Sequence, residues 1–123
     1  MMQGKRMIYL VDDDDAVRDS LAFLLESHGF DVSAFASVAE FERAYAPDGK
    51  GCLILDHHLP GVSGLEYLAS PEGAALRIPV IVITGGADPN VSARARSLGV
   101  AAFLEKPITE APLLAAIENA LAA

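Results

Sequence analysis

Five short strand-like runs alternate with segments of helical period along this chain, and that alternation constrains the fold more than any other feature. The runs are Met7–Val11, Asp31–Phe35, Gly51–Leu55, Val80–Thr84 and Ala101–Glu105. Most are apolar throughout, as strands buried on both faces must be, so they predict a parallel sheet covered by helices on each side. The first intervening segment places Val17, Leu21, Leu24 and Leu25 at helical spacing and offers Gly29 as a stop. Ser37-Val38-Ala39-Glu40 reads as a capping box opening a helix that carries Phe41 and Tyr45, and Ser63-Gly64-Leu65-Glu66 reads as another. Pro71 and Gly73 fall where the third helix should continue, so that helix is expected to be short or broken. Asp88-Pro89 is a cap followed by a first-turn proline, opening a fourth helix that ends at Gly99. Thr109 opens a last helix with Leu113, Leu114, Ile117 and Leu121.

At 123 residues, 52% of them hydrophobic, the chain is read as one domain over 1–123 with an adequate core. The apolar runs are too short to span a bilayer, and Met7–Val11, after basic Lys5 and Arg6, is too short for a signal peptide. A single cysteine, Cys52, forms no internal disulfide, which suits the cytoplasm. It reads as an inert buried strand residue. The net charge of −8 argues against direct nucleic-acid binding, because phosphate backbones recruit basic surfaces.

The residues just past the strands carry the chemistry. The first run ends into Asp12-Asp13-Asp14-Asp15, the third into Asp56, the fourth in Thr84 and the fifth into Glu105-Lys106-Pro107. In such sheets functional groups gather at the carboxyl ends of the strands. If the first and third strands are neighbours, Asp12, Asp13 and Asp56 converge. Clustered carboxylates repel, which raises their pKa values, and a hard divalent cation such as Mg²⁺, with Mn²⁺ as a substitute, relieves the repulsion. Cation, ammonium and hydroxyl together stabilise a transferring phosphoryl group, and Asp56 is the natural nucleophile. Asp14 and Asp15 read instead as helix-capping acids. His28 is placed in the last turn of the first helix, where it complements the dipole.

The same residues carry a family resemblance. Tyr9-Leu10-Val11-Asp12-Asp13-Asp14, Leu53-Ile54-Leu55-Asp56, Leu59-Pro60-Gly61, Ser63-Gly64, Val82-Ile83-Thr84-Gly85 and Phe103-Leu104-Glu105-Lys106-Pro107 resemble, in order and in register, the signature set of response-regulator receivers of two-component signalling. The wording is most similar to the nitrogen-fixation and LuxR-type branch. The resemblance implies a doubly wound, flavodoxin-like (βα)5 fold with strand order 2-1-3-4-5. It also implies Asp56 as phosphoacceptor. Asp13 and Asp56 become direct Mg²⁺ ligands, Asp12 a helper through water, and the main-chain carbonyl of His58 a third ligand. Lys106 pairs with phosphoryl oxygens, and Thr84 and Phe103 form the switch. The implied donor is a phosphohistidine on a sensor histidine kinase or phosphotransfer protein. The implied outcome is a change in the face formed by the fourth helix, fifth strand and fifth helix, controlling an output domain, a downstream protein or a homodimer. On this reading the chain accepts and slowly loses phosphate and is not a turnover enzyme.

Both geometry and resemblance predict a cis Lys106–Pro107 bond, which would turn the chain sharply beside a lysine that must be aimed. His57 and His58 are less familiar. Adjacent histidines seldom share a metal, and no third His or Cys lies nearby. The imidazole of His58 is expected to project over the mouth of the site, where it can position water or carry charge.

Three other functions compete. Asp12 and Asp14 fit the opening D-x-D of a haloacid-dehalogenase-type phosphatase, but no acidic pair follows Lys106 and Asp56 would be idle. A flavodoxin-type flavin module needs a phosphate-cradling loop where four aspartates stand. An adaptor of receiver fold that takes no phosphate would leave Asp56, Thr84 and Lys106 without a task.

Overall fold

The computed structural model describes residues 7–46, 50–86 and 88–122; Lys5 and Arg6 lie outside that range. The elements run β1 (Met7–Val11), α1 (Asp15–Ser27), β2 (Asp31–Phe35), α2 (Val38–Ala44), β3 (Cys52–Asp56), α3 (Gly64–Ala69), α4 (Pro71–Ala74), β4 (Val80–Thr84), α5 (Pro89–Ser97), β5 (Ala102–Glu105) and α6 (Glu110–Ala122). All four strand pairings are parallel and the order is β2-β1-β3-β4-β5. The expected α/β fold is therefore present, with helices on both faces.

The two-residue side-chain period of a strand explains the unbroken apolar runs. Ile8, Leu10, Ile54, Ile81 and Ile83 point to one face and pack with Leu21 and Leu25 of α1 and Leu113 and Ile117 of α6. Tyr9, Val11, Leu53, Leu55 and Val82 point to the other and pack with Phe41 of α2, Leu65 and Leu68 of α3, and Ala95 of α5. Cys52 is fully buried in β3, and burial pushes its thiol up to about 12, so it is inert at neutral pH.

Two strand starts and one capping box differ from expectation. β3 starts one residue late, at Cys52, because Gly51 has φ +107 and a Cβ there would lie 2.7 Å from the Met7 carbonyl oxygen. β5 likewise starts at Ala102, although the Ala101 amide already donates to Val80 O. The Ser37 box is only half made: Ser37 Oγ accepts from the Glu40 amide, but the Glu40 carboxylate accepts from Ala36 rather than from Ser37. The Ser63–Glu66 box is reciprocal, as expected. The third helix is broken as anticipated: Ser70 caps a separate one-turn α4 with Pro71 in its first turn. The expected fourth and fifth helices are thus α5 and α6. Thr109 flanks α6, and its carbonyl accepts from the Leu113 amide. His28 is the C-cap of α1, one residue past the helix proper, where Nε2 lies 3.4 Å from Glu110 Oε2. Among the described residues no helix is long and apolar enough to cross a membrane.

Candidate functional site

Among the described residues the buried polar side chains are Asp12, Asp56 and Thr84, and all three stand at the carboxyl edge of the sheet. Burying two carboxylates is costly unless they are paired, hydrogen-bonded or bound to a cation. Asp12 continues the line of β1, its amide donating to Phe35 O of β2. Its Oδ1 accepts from the Asp14 amide at 2.9 Å, which turns the chain into α1. Asp14 then caps α1 by accepting from the amides of Ala16 and Val17. Asp15 pairs with Arg18, whose Nη1 also donates to the Asp12 carbonyl at 2.7 Å. The four aspartates therefore divide into two that face the sheet edge and two committed to the helix start. With Asp14 spent on capping, the D-x-D reading loses its second carboxylate.

Asp56 closes β3, in register with Ile83 of β4. Gly64, the first residue of α3, rests on this strand end: a Cβ at Gly64 would lie 2.5 Å from the Asp56 carbonyl oxygen. Asp12, Asp13 and Asp56 each offer a carboxylate oxygen within 4.8 Å of the others; Asp13 is exposed and the other two are buried. The expected convergence is thus present, and these three residues could hold a metal ion. Asp12 Oδ2 is buried and accepts no hydrogen bond. A cluster of carboxylate oxygens fits a hard divalent cation. The two histidines do not join a metal-capable group among the described residues.

Lys106 Nζ reaches into the cluster, 3.2 Å from Asp12 Oδ2 and 3.4 Å from Asp56 Oδ2. The bond to Asp56 has donor geometry, whereas the contact with Asp12 is an ion pair without it. Burial alone would lower the lysine pKa, but contact with Asp12 and the charge of Asp56 hold it above the ordinary value. For Asp56 burial dominates and, with the charge of Asp12, raises its pKa; the His58 amide and Lys106 offset this only in part. The Lys106–Pro107 bond is cis, as expected.

Thr84 ends β4 opposite Glu105, and Phe103 lies two residues earlier on β5, opposite Val82. Both therefore sit on the face that α5 covers. Phe103 is half-buried and lines a groove of about 350 Å³ with Asp88, Pro89, Ser92, Leu104 and Glu105. The Thr84 hydroxyl accepts from the Gly86 amide at 3.3 Å and lies 3.0 Å from His58 Nε2. The exposed His58 is at the mouth, as anticipated, but it does not project freely. It bonds to Thr84. Nor did sequence reasoning find Arg18 bracing the Asp12 carbonyl; its signal was an arginine one turn after Asp14-Asp15. His57 packs edge-on to His58 with Nδ1 buried and without a partner. Burial, followed by the neighbouring His58 and Arg94 charges, lowers its pKa.

Residues 8–118 match the response regulator receiver domain family. Transcriptional regulatory protein FixJ of Azorhizobium caulinodans is 45% identical over 114 residues, which cover 93% of this chain and 54% of FixJ. The crystal structure of FixJ-N aligns with TM-score 0.83 at 39% identity, over 98% of this chain and 96% of that one. A response regulator protein from Burkholderia pseudomallei, solved with a phosphorylated aspartic acid, calcium ion and citrate, aligns with TM-score 0.80 at 25% identity, over 92% of this chain and 66% of that one. The chain spans about half the length of the curated relatives it matches. Identity at this level across more than nine-tenths of the chain, on the same sheet order, is common descent: the chain belongs to the receiver domains of two-component response regulators, among their FixJ-like members.

Proposed function

We propose that this domain takes a phosphoryl group from a phosphohistidine of a sensor kinase, or of a phosphotransfer protein, onto Asp56. The observation that carries the reading is the approach of Lys106 to both Asp12 and Asp56 beside the three-carboxylate group. The related Burkholderia protein solved with a phosphorylated aspartic acid supports it. An Asp56 carboxylate oxygen attacks phosphorus, the P–O bond forms, the P–N bond breaks, and the donor histidine leaves with the electron pair. Lys106 stands where it neutralises charge on the transferred oxygens. Asp12, Asp13 and Asp56, with the His58 main-chain carbonyl, would hold Mg²⁺ or Mn²⁺. The cation supplies charge neutralisation for phosphoryl transfer when bound.

Once phosphate has arrived, the Thr84 hydroxyl donates to it, and the space it vacates admits Phe103 from the groove beside α5. The changed face is α5, β5 and α6, which docks an output domain, a partner or a second copy. The twofold greater length of the relatives supports an output segment beyond this domain. The domain acts in the cytoplasm as a phosphoryl acceptor with slow self-dephosphorylation, not as a turnover enzyme.

Acetyl phosphate with Mg²⁺ should add one phosphoryl group, mapped by mass spectrometry to Asp56. Modification elsewhere, or none with any small donor or kinase, would refute the assignment. Lys106→Ala should stay folded yet label far more slowly. Because folding assembles the carboxylates, Mg²⁺ should also raise the melting temperature. At a concentration 100 times its Kd the cation contributes about 2.7 kcal/mol, or ~10 °C for a domain of this size. Asp13→Ala should remove most of that rise. Identical melts of the two proteins across millimolar Mg²⁺ would count against the metal site.

A further inference from the structure

His58 reaches Thr84 because of strand register. Asp56 pairs with Ile83, the His57 amide donates to Ile83 O at 2.8 Å, and the next residue on each side, His58 and Thr84, is brought alongside. The His58 ring also lies against the loop after β4: a Cβ at Gly86 would stand 3.8 Å from Nε2. Asp56 is engaged elsewhere, with Oδ1 accepting from the His58 amide and Oδ2 facing Lys106. A buried hydroxyl has one proton to donate, and the Gly86 amide already occupies one of its acceptor directions. A phosphoryl oxygen has no proton of its own to offer and must receive that one.

We propose that His58 is a positioning residue that latches the resting site: Nε2 accepts the Thr84 proton and holds the hydroxyl toward the mouth, so a phosphoryl group on Asp56 must displace it. This rests on the phosphoacceptor reading above. The His58 backbone contributes to the site whatever the side chain is, so the imidazole adjusts the threshold for switching without being needed for transfer. A hydrogen bond of this kind is worth roughly a two- to tenfold change in the equilibrium.

The test is beryllofluoride binding to the full chain with saturating Mg²⁺, by isothermal titration. His58→Ala, and His58→Phe, which keeps a ring but no nitrogen, should each bind roughly two- to tenfold more tightly than wild type. His58→Gln, whose side-chain carbonyl can accept the hydroxyl proton, should return toward wild type. In a Thr84→Val background His58→Phe should change nothing. The Gly86 amide resonance, which reports on the Thr84 hydroxyl, should shift in His58→Phe before any beryllofluoride is added. Unchanged or weaker binding in both His58→Ala and His58→Phe overturns the latch while leaving Asp56 as acceptor. An equal effect of His58→Phe with and without the Thr84 hydroxyl overturns it too. No binding by wild type under these conditions removes the phosphoacceptor reading and the latch with it.

Discussion

Asp56→Asn should abolish labelling by acetyl phosphate and yet stabilise the metal-free protein. The first effect arises because a carboxamide at that position is not a nucleophile toward phosphorus. The second arises from burial. Asp56 is 1% exposed beside Asp12, and its pKa in the folded protein is raised above the ordinary 3.8. A carboxyl whose folded pKa is raised contributes its full share of stability below the unfolded pKa and loses it as pH rises through the folded value. At neutral pH without metal, the ionised Asp56 is therefore a net cost, which the neutral amide avoids. The difference between variant and wild type should be small near pH 3.5, grow as pH climbs past 4, and level off above the folded pKa. About 1 kcal/mol moves the melting midpoint of such a domain by ~4 °C, so melts in a chelating buffer across pH resolve it. Mg²⁺ should narrow the gap, because the variant has lost a ligand. A variant less stable than wild type at pH 7 without metal would mean that the Lys106 contact outweighs burial and the repulsion from Asp12.

Gly64→Ala should be the most damaging single-methyl change at the site. Alanine is the better helix former by up to ~1 kcal/mol, and on propensity alone the change would stabilise α3. The added Cβ, however, would lie 2.5 Å from the Asp56 carbonyl oxygen and 3.0 Å from His57 Cα. Those are backbone atoms that cannot swing away, so either α3 or the end of β3 must move. Overpacking against atoms that cannot yield costs about 1–3 kcal/mol. We expect a net loss near the middle of that range, ~8 °C in melting temperature, together with slower labelling of Asp56 as the strand end is pushed. Urea titration and an acetyl phosphate time course measure the two effects separately. Full stability and full labelling would show that the start of α3 is free to shift.

Residue pattern reveals in advance those features of the fold that depend on side-chain periodicity. The bounds of β1, β2 and β4, the break near Pro71 and the cap at Asp88 all derive from local chemistry and match the structure. The expected site residues Asp12, Asp13, Asp56 and Lys106 also meet, because each directly follows or ends a strand whose place in the sheet is determined by its apolar run. Contacts that depend on cross-chain register were not visible. β3 starts at Cys52 because Gly51 takes φ +107, a backbone conformation that the apolar run does not announce. The Glu40 carboxylate accepts from the Ala36 amide rather than from that of Ser37, a choice of partner that the box pattern does not specify. The His58–Thr84 bond joins residues 26 apart and needs both the register of β3 with β4 and the path of the loop beyond β3.

Lys106 lies 50 residues beyond Asp56, just past β5, and β5 is the edge strand added last along the sequence. On the proposed reading, a growing chain exposes the acceptor carboxylate well before the ammonium that serves it has been made. During synthesis on the ribosome, Asp12, Asp13 and Asp56 can gather as soon as β1 and β3 pair. Fast phosphoryl acceptance, on that reading, awaits docking of the final strand, because Lys106 directly follows it. A half-folded chain lacking that ammonium would then take phosphate only slowly, as Lys106→Ala should, so rapid labelling would report a completed sheet.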